Sequence, residues 1–255
     1  MREAPSRFYL KVLEEYRAKT LHFSRSAMAT EMGIPVGTYT SWCGSRGTRR
    51  KPSPKYVRWI KSFLECRGLL SAESWMRDRG PKLLSMVGFG EGQAVVDFGS
   101  GRGDYTLMLA GLVGKKGRVY AVDKDRSVLG ELMGKARCKG LTNIRDKFVP
   151  GSKARPPTKV PLPRGSIDGI WFSDVLHDGY FEKDEQKEEL LRNLRAALKV
   201  DGFIAVHAVH MEERRLKKVI RLAGFELDRE FRRVVLFHGS EFHRSSIFRY
   251  RNTGG

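Results

Sequence analysis

Apolar residues recur at two different periods along this chain. From Ser6 to about Leu70 the spacing is helical: Phe8, Leu10, Val12, Leu13 and Tyr16 lie roughly three to four apart. A second helix is expected over Ser26 to Met32, capped by Ser24 or Ser26 and broken by Gly33. A third follows Pro35 and sets Val36, Tyr39 and Trp42 on one face; a fourth carries Tyr56, Ile60, Phe63 and Leu64. From Glu91 the pattern changes. Short apolar runs, Ala94 to Phe98, Arg118 to Val122, Ile144 to Val149, Ile167 to Ser173 and Phe203 to Ala208, read as strands. Helical stretches separate them at Tyr105 to Val113, Ser127 to Cys138, Lys183 to Leu198 and Glu212 to Ala223. Strands near Arg232 to Phe237 and Ser246 to Tyr250 close the chain.

Strand–helix alternation implies a largely parallel sheet covered on both faces, and the short connection between the last two strands makes them antiparallel neighbours. The expected organisation is a small all-α domain over 1–70, a joining segment with Pro81 over 71–91, and an α/β domain over 92–255. The 255 residues suffice for one small and one large domain, and 40% apolar with 30% charged residues is ordinary soluble composition. No run of about 18 apolar residues suggests a membrane span, and the N-terminus lacks the apolar stretch of a signal peptide. Cys43, Cys66 and Cys138 form neither a metal spacing nor a disulfide framework, which fits a reducing cytoplasm. The net charge of +19 changes the picture most, because it favours a polyanionic partner, nucleic acid first.

The chemistry gathers after the first strand. Gly99-Ser100-Gly101-Arg102-Gly103 joins that strand to a helix. Glycines there let the chain turn sharply and a ligand approach the backbone, and the helix start offers free N–H groups. Asp97 stands just before the loop, placed to accept a hydrogen bond from a ligand amine or to order the loop. Asp123 ends the second strand, where doubly wound nucleotide folds hold ribose hydroxyls. The glycines alternate, and Asp104 stands where a dinucleotide fingerprint needs its third glycine; no Lys-Ser/Thr follows, as a phosphate-cradling loop requires.

VVDFGSGRGDYT followed by VYAVDKD resembles the first two motifs of class I S-adenosylmethionine-dependent methyltransferases. IDGIWFSDVLHD is similar to that family's fourth-strand motif, LKVDGFIAVHAV to its fifth, and GFE at Gly224 to Glu226 opens a final strand pair. The resemblance covers about Lys82 to Arg251. It implies a Rossmann-like, doubly wound seven-stranded α/β sheet ending in an antiparallel pair, with S-adenosyl-L-methionine as cofactor. Carried over, Asp97 and the loop with Gly99, Ser100, Gly101 and Gly103 contact the methionine part. Asp123, with Lys124 beside it, holds the ribose. Asp174, with Ser173 and Val175, lines the methionine amino end. The family often has an acidic residue after the third strand for adenine; here KFVPGSKARPPTKVPLPRG is acid-free, so backbone or apolar contacts must serve, and the stretch is a candidate lid.

Methyl transfer asks for an aligned nucleophile, exclusion of water and sometimes a base. His177 and Asp178 after the fourth strand are the candidate catalytic residues, and His207 and His210 follow the fifth. Arg102 and Tyr105 are expected at the site mouth. No metal is called for. The N-terminal MATEMGIPVGTYTSW resembles the helix-turn-helix of Cro/repressor-like DNA-binding proteins, with Ala29 at the helix contact, Gly33 in the turn and Trp42 closing the second helix. It implies that Thr38 and Ser41 face a groove, and Arg46, Arg49, Arg50 and Lys51 are placed to grip phosphates. The function expected is methyl transfer by a DNA-associated enzyme. The alternatives are a regulator that senses S-adenosylmethionine and an RNA methyltransferase. DNA is the first expected partner and RNA the second, with a homodimer compatible and no membrane.

Overall fold

The computed structural model describes residues 6–44, 50–238 and 241–253. They fall into two compact units, Met1–Trp75 with Val235–Arg244, and Met76–Val234 with Ser245–Gly255.

The first unit holds helices α1 (Ser6–Tyr16), α2 (Arg25–Glu31), α3 (Val36–Trp42) and α4 (Pro54–Cys66), with a single π-turn at Arg17–Leu21. Ser24 caps α2 by accepting Ala27 N–H at 3.1 Å. Gly33, at φ +61°, supplies the left-handed residue between α2 and α3. Tyr9, Leu13, Met28, Ala29, Tyr39, Ile60 and Leu64 are buried together. Glu14 enters this core because it is fully engaged: Tyr39 Oη donates to it at 2.6 Å, Arg17 Nε at 2.9 Å and Arg25 Nε at 3.1 Å. Burial pushes the Glu14 carboxyl up, but these donors outweigh it and hold it below its ordinary value. Val235 and Phe242 from the chain's last two strands also pack on this core, with Phe242 against Phe8 at 5.4 Å.

The second unit carries a seven-stranded sheet in the order β3-β2-β1-β4-β5-β7-β6. Its strands are β1 (Ala94–Phe98), β2 (Arg118–Asp123), β3 (Ile144–Phe148), β4 (Ile167–Ser173), β5 (Leu198–His207), β6 (Phe225–His238) and β7 (Glu241–Asn252). The first five are parallel, and β7 runs antiparallel to β5 with Phe203 opposite Arg251 and His207 opposite Ile247. Helix α5 (Ala72–Val87) leads into the sheet; α6 (Asp104–Val113), α7 (Arg126–Cys138), α8 (Asp184–Arg195) and α9 (Glu213–Leu222) connect the strands. Val96, Ile170 and Ile204 are wholly buried, as central parallel strands require.

β6 and β7 are much longer than their apolar runs suggest. FELDREFRRVVLFH interleaves charges with apolar residues, so it reads as half loop. The strand is sustained by pairing with β7, and its carboxylates meet cations: Arg249 binds Asp228, Arg251 binds Glu226, and Arg232 binds Glu230. β1 and its glycine loop lie at the point where strand order reverses, with the crevice at the carboxyl ends of the strands.

Candidate active site

The loop after β1 is built on three left-handed glycines, Gly99, Gly101 and Gly103. Two of them leave no space for a side chain. A Cβ on Gly99 would stand 2.5 Å from Val175 Cγ2, and one on Gly103 2.1 Å from Leu132 Cδ1. The loop is therefore pressed against the turn after β4 on one side and α7 on the other. Asp123 ties it down from β2, accepting Gly101 N–H at 2.8 Å and Asp125 N–H at 3.0 Å.

Asp97 lies beneath this loop, buried, and accepts a hydrogen bond from Thr106 Oγ1 at 2.6 Å. Burial pushes its carboxyl up to about 7, with Asp123 and Asp104 adding repulsion and Thr106 opposing. Its visible role is to hold α6 to β1. Ser100 is buried and its Oγ has no hydrogen-bond partner, a polar group of the kind a ligand satisfies.

A cleft of about 260 Å³ opens over the loop. Phe98, Gly99 and Gly101 border it, Asp123 and Lys124 come from the end of β2, and Val175 follows β4. Val128, Val149, Pro156, Pro157 and Phe181 make an apolar wall. The acid-free segment after β3 thus supplies lining residues, as its apolar composition allows. Lys124 reaches over the Tyr180 ring with Nζ 4.8 Å from its centroid. The cleft suits a flat apolar ring at the proline wall and a polar, hydroxyl-bearing group at Asp123.

The residues after β4 and β5 form a second cluster. Asp174 adopts φ +53°, rare for a non-glycine residue. Its carboxylate does not border the cleft. Oδ1 accepts Val209 N–H at 2.8 Å and His210 N–H at 3.2 Å, and Oδ2 meets His210 Nδ1 at 2.6 Å. Burial alone would raise this carboxyl, but those donors hold it below its ordinary value. An ionised Asp174 requires a proton on His210 Nδ1, so a neutral His210 ring carries its lone pair on Nε2. His177 is bonded the other way. Gly179 N–H donates to its Nδ1 at 2.9 Å, so the neutral ring carries its proton on Nε2. Burial lowers the His177 pKa and His210 adds to that, against Asp174 and Asp178, which favours the neutral ring. The two imidazoles lie 5.4 Å apart with their planes tilted by 51°.

Potential ligand atoms of Asp174, His177 and His210 fall within 4.8 Å of one another. Within this group Asp174 is bonded to His210 and to two backbone N–H groups, and His177 Nδ1 to Gly179 N–H.

Other expected residues are placed differently. Asp178 is not built as a base: Lys187 Nζ binds it at 2.8 Å and Arg215 Nη1 at 2.7 Å, and these cations hold it ionised well below the usual carboxylate range. Lys187 is itself fully buried and also binds Asp184, so this network ties α8 to the turn after β4. His207 is buried in β5, its Nδ1 3.5 Å from Ser173 Oγ. Tyr105, expected at the mouth, is buried against Trp171 at 5.0 Å; Arg102 is exposed and pairs with Glu131 at 3.4 Å. In the helical unit Thr38 is half-buried, and Ser41 Oγ donates to Thr38 O at 2.7 Å, which removes its free donor. Arg50 and Lys51 are exposed, whereas Arg46 and Arg49 lie outside the described residues. The sequence placed His210 at a strand tip. Its partnership with Asp174 had no local signal, because 36 residues separate them.

Residues 95–202 match the family model of a methyltransferase domain. The chain is similar to a SAM-dependent methyltransferase from Aquifex aeolicus, with a TM-score of 0.55 and 19% identity over 74% of this chain and 97% of that one. It is also similar to geranyl diphosphate C-methyltransferase from Streptomyces coelicolor A3(2), in complex with Mg2+, geranyl-S-thiolodiphosphate and S-adenosyl-L-homocysteine (TM-score 0.52, 13% identity, 68% and 75% covered). The [4+2]-cyclase SpnF is another similar structure, at TM-score 0.52 and 15% identity over 69% of this chain and 81% of that one. At these identities the shared property is the fold, that of S-adenosylmethionine-dependent methyltransferases. Among the described residues no helix is long and apolar enough to cross a membrane.

Proposed function

We propose that this chain is an S-adenosylmethionine-dependent methyltransferase in which His210, oriented by Asp174, is the base for the methyl acceptor. The observation that carries the reading is the cleft floored by Gly99 and Gly101 with Asp123 at its rim, inside the segment that matches a methyltransferase domain. The residues present fit the cofactor. Gly99 and Gly101 bring bare backbone to the cleft, with open space over Gly101, and Ser100 Oγ supplies an unsatisfied polar group. Asp123 offers carboxylate oxygens for ribose hydroxyls, and Val128, Val149, Pro156 and Pro157 wall an apolar slot for adenine. Bound there, S-adenosylmethionine supplies an electrophilic methyl group on a sulfonium.

The chain's own residues do the rest. His210 Nε2 takes a proton from an acceptor hydroxyl or amine, and Asp174 Oδ2 stabilises the imidazolium that forms. His177 packs between the Tyr180 ring and His210, beside the proposed base. Tyr180 and Phe181 exclude water from the cleft side.

The helical unit is proposed to attach the enzyme to nucleic acid. The α2–α3 pair, with its left-handed Gly33 and buried Ala29 and Tyr39, has the helix-turn-helix pattern, and exposed Arg50 and Lys51 follow it. Free Cys43, Cys66 and Cys138 suit a reducing compartment. Calorimetric titration with S-adenosylhomocysteine tests the cofactor site: wild type should release heat and Asp123→Ala should bind far more weakly. Incubation with methyl-labelled S-adenosylmethionine and fractionated cell extract should put label into a macromolecular fraction. Heat without any label transfer would favour a regulator that senses the cofactor, and no heat at all would overturn the assignment.

A further inference from the structure

Helix α9 reads ERRLKKVIRL and packs Leu216, Val219 and Ile220 into the core. Five of its ten residues are basic, and they are not equivalent. Arg215 is neutralised by Asp178 at 2.7 Å and Asp184 at 2.8 Å. Lys217 is neutralised by Glu213 at 2.8 Å and by Glu230. The other three, Arg214, Lys218 and Arg221, are exposed and have no ion-pair partner among the described residues. Their i, i+4, i+7 spacing stacks them in one row along the outer face. With Arg215, Lys217, Asp184 and Glu212 they line an open cleft of about 750 Å³.

Like charges at i, i+4 repel along a helix, so a row without counterions is poised for an external anion. The row spans about 10 Å of helix axis, more than one phosphate occupies. Neighbouring side chains of the row start about 5–6 Å apart and are long enough to meet successive phosphodiesters. A lipid surface is a poor fit, because an interfacial helix needs its apolar face exposed and α9 buries its own. Arg215 of the same helix binds Asp178, the residue after His177, at 2.7 Å, so α9 lies beside the proposed reaction centre.

We infer that the outer row of α9 binds the phosphodiester backbone of a polynucleotide, and that this polynucleotide is the methyl acceptor. The second half rests on the methyltransferase reading; the first does not.

The test uses the full chain and fluorescein-labelled oligonucleotides of mixed sequence, as single-stranded RNA, single-stranded DNA and duplex DNA, read by anisotropy over a salt series. Arg214→Glu, Lys218→Glu and Arg221→Glu together should weaken binding at least about tenfold at moderate salt. They should also lower the slope of log affinity against log salt by about 2 on a single strand, for three lost phosphate contacts at about 0.7 each. Lys115→Glu, Lys116→Glu and Lys139→Glu together change the net charge equally but lie in the turns that lead into β2 and β3, and should leave the slope intact. The RNA and DNA arms identify which backbone is preferred. Equal losses from both triples, or none from either, would overturn the row. So would loss in Arg50→Glu/Lys51→Glu with the α9 variant unaffected, or α9-dependent binding to phosphatidylserine vesicles without a nucleic-acid effect. S-adenosylhomocysteine titration of each protein keeps the two readings apart. Retained heat shows that the α9 variant is folded, whereas absent heat in wild type sinks the methyltransferase reading and leaves the anisotropy result standing. Methyl label entering the bound oligonucleotide with wild type and lost with the α9 variant completes the inference; label confined to small molecules refutes its second half.

Discussion

Replacing Asp97 with Asn should stabilise the protein near neutral pH and remove a pH dependence. The Asp97 carboxyl is only 2% exposed and is pushed up to about 7, chiefly by burial and then by Asp123 and Asp104. In the unfolded chain it titrates near its model-peptide value of about 3.9. Between those two values the folded protein keeps a proton that the unfolded chain has lost, so stability falls as pH rises through the window. The slope is about 1.4 kcal/mol per pH unit, and the whole window costs about 4 kcal/mol. Asn keeps an oxygen to accept the Thr106 hydroxyl and carries no charge at any pH. Urea denaturation of both proteins at about pH 5 and about pH 8 isolates the group, because every other carboxylate cancels in the difference. The stability gap between variant and wild type should widen with pH by on the order of 3 kcal/mol. A gap that stays flat over that range would mean that Asp97 ionises freely beneath the loop, and that its burial is less complete than the packing of β1 and α6 indicates.

Gly103→Ala places a Cβ 2.1 Å from Leu132 Cδ1 at φ +89°, and should destabilise by about 2–4 kcal/mol in thermal or urea melts; Leu132→Ala in the same chain should recover only the steric part. His210→Ala should lower methyl transfer by about 10²–10⁴ while S-adenosylhomocysteine affinity is kept, and Asp174→Asn should act in the same direction by disturbing the His210 tautomer. Unchanged transfer in both variants would remove the base from the scheme. Asp178→Asn should instead show itself in stability, by about 1–3 kcal/mol, with little effect on transfer once the protein is folded, because it anchors Lys187 and Arg215.

Much of the α/β unit was legible because its elements declare themselves locally. Apolar runs of about five residues, such as AVVDF and IDGIWFS, have few alternatives to a buried strand. A loop that alternates glycine needs left-handed backbone, which the φ values of Gly99, Gly101 and Gly103 bear out. The long β6–β7 pair was legible only at its apolar centre, since its charged positions are held in strand by cross-strand partners. The site was less legible than the fold. Asp97, Asp123, Asp174 and Asp178 look alike in sequence as acids near strand ends. Burial raises one, backbone N–H groups engage two, and a buried lysine with an arginine consumes the fourth.

The sequence by itself therefore determined the period of each segment, the sharp turn after β1 and the excess of positive charge, because these depend on residues adjacent along the chain. The tertiary structure decided which charges remain free and which groups each histidine is bonded to. Only folding brings Asp174 to His210 and Gly179 N–H onto His177, and only the packing of α9 separates the neutralised Arg215 and Lys217 from the open row of Arg214, Lys218 and Arg221. Hydrogen bonds and ion pairs act over a few ångströms, and the chain alone does not say which distant groups will come that close.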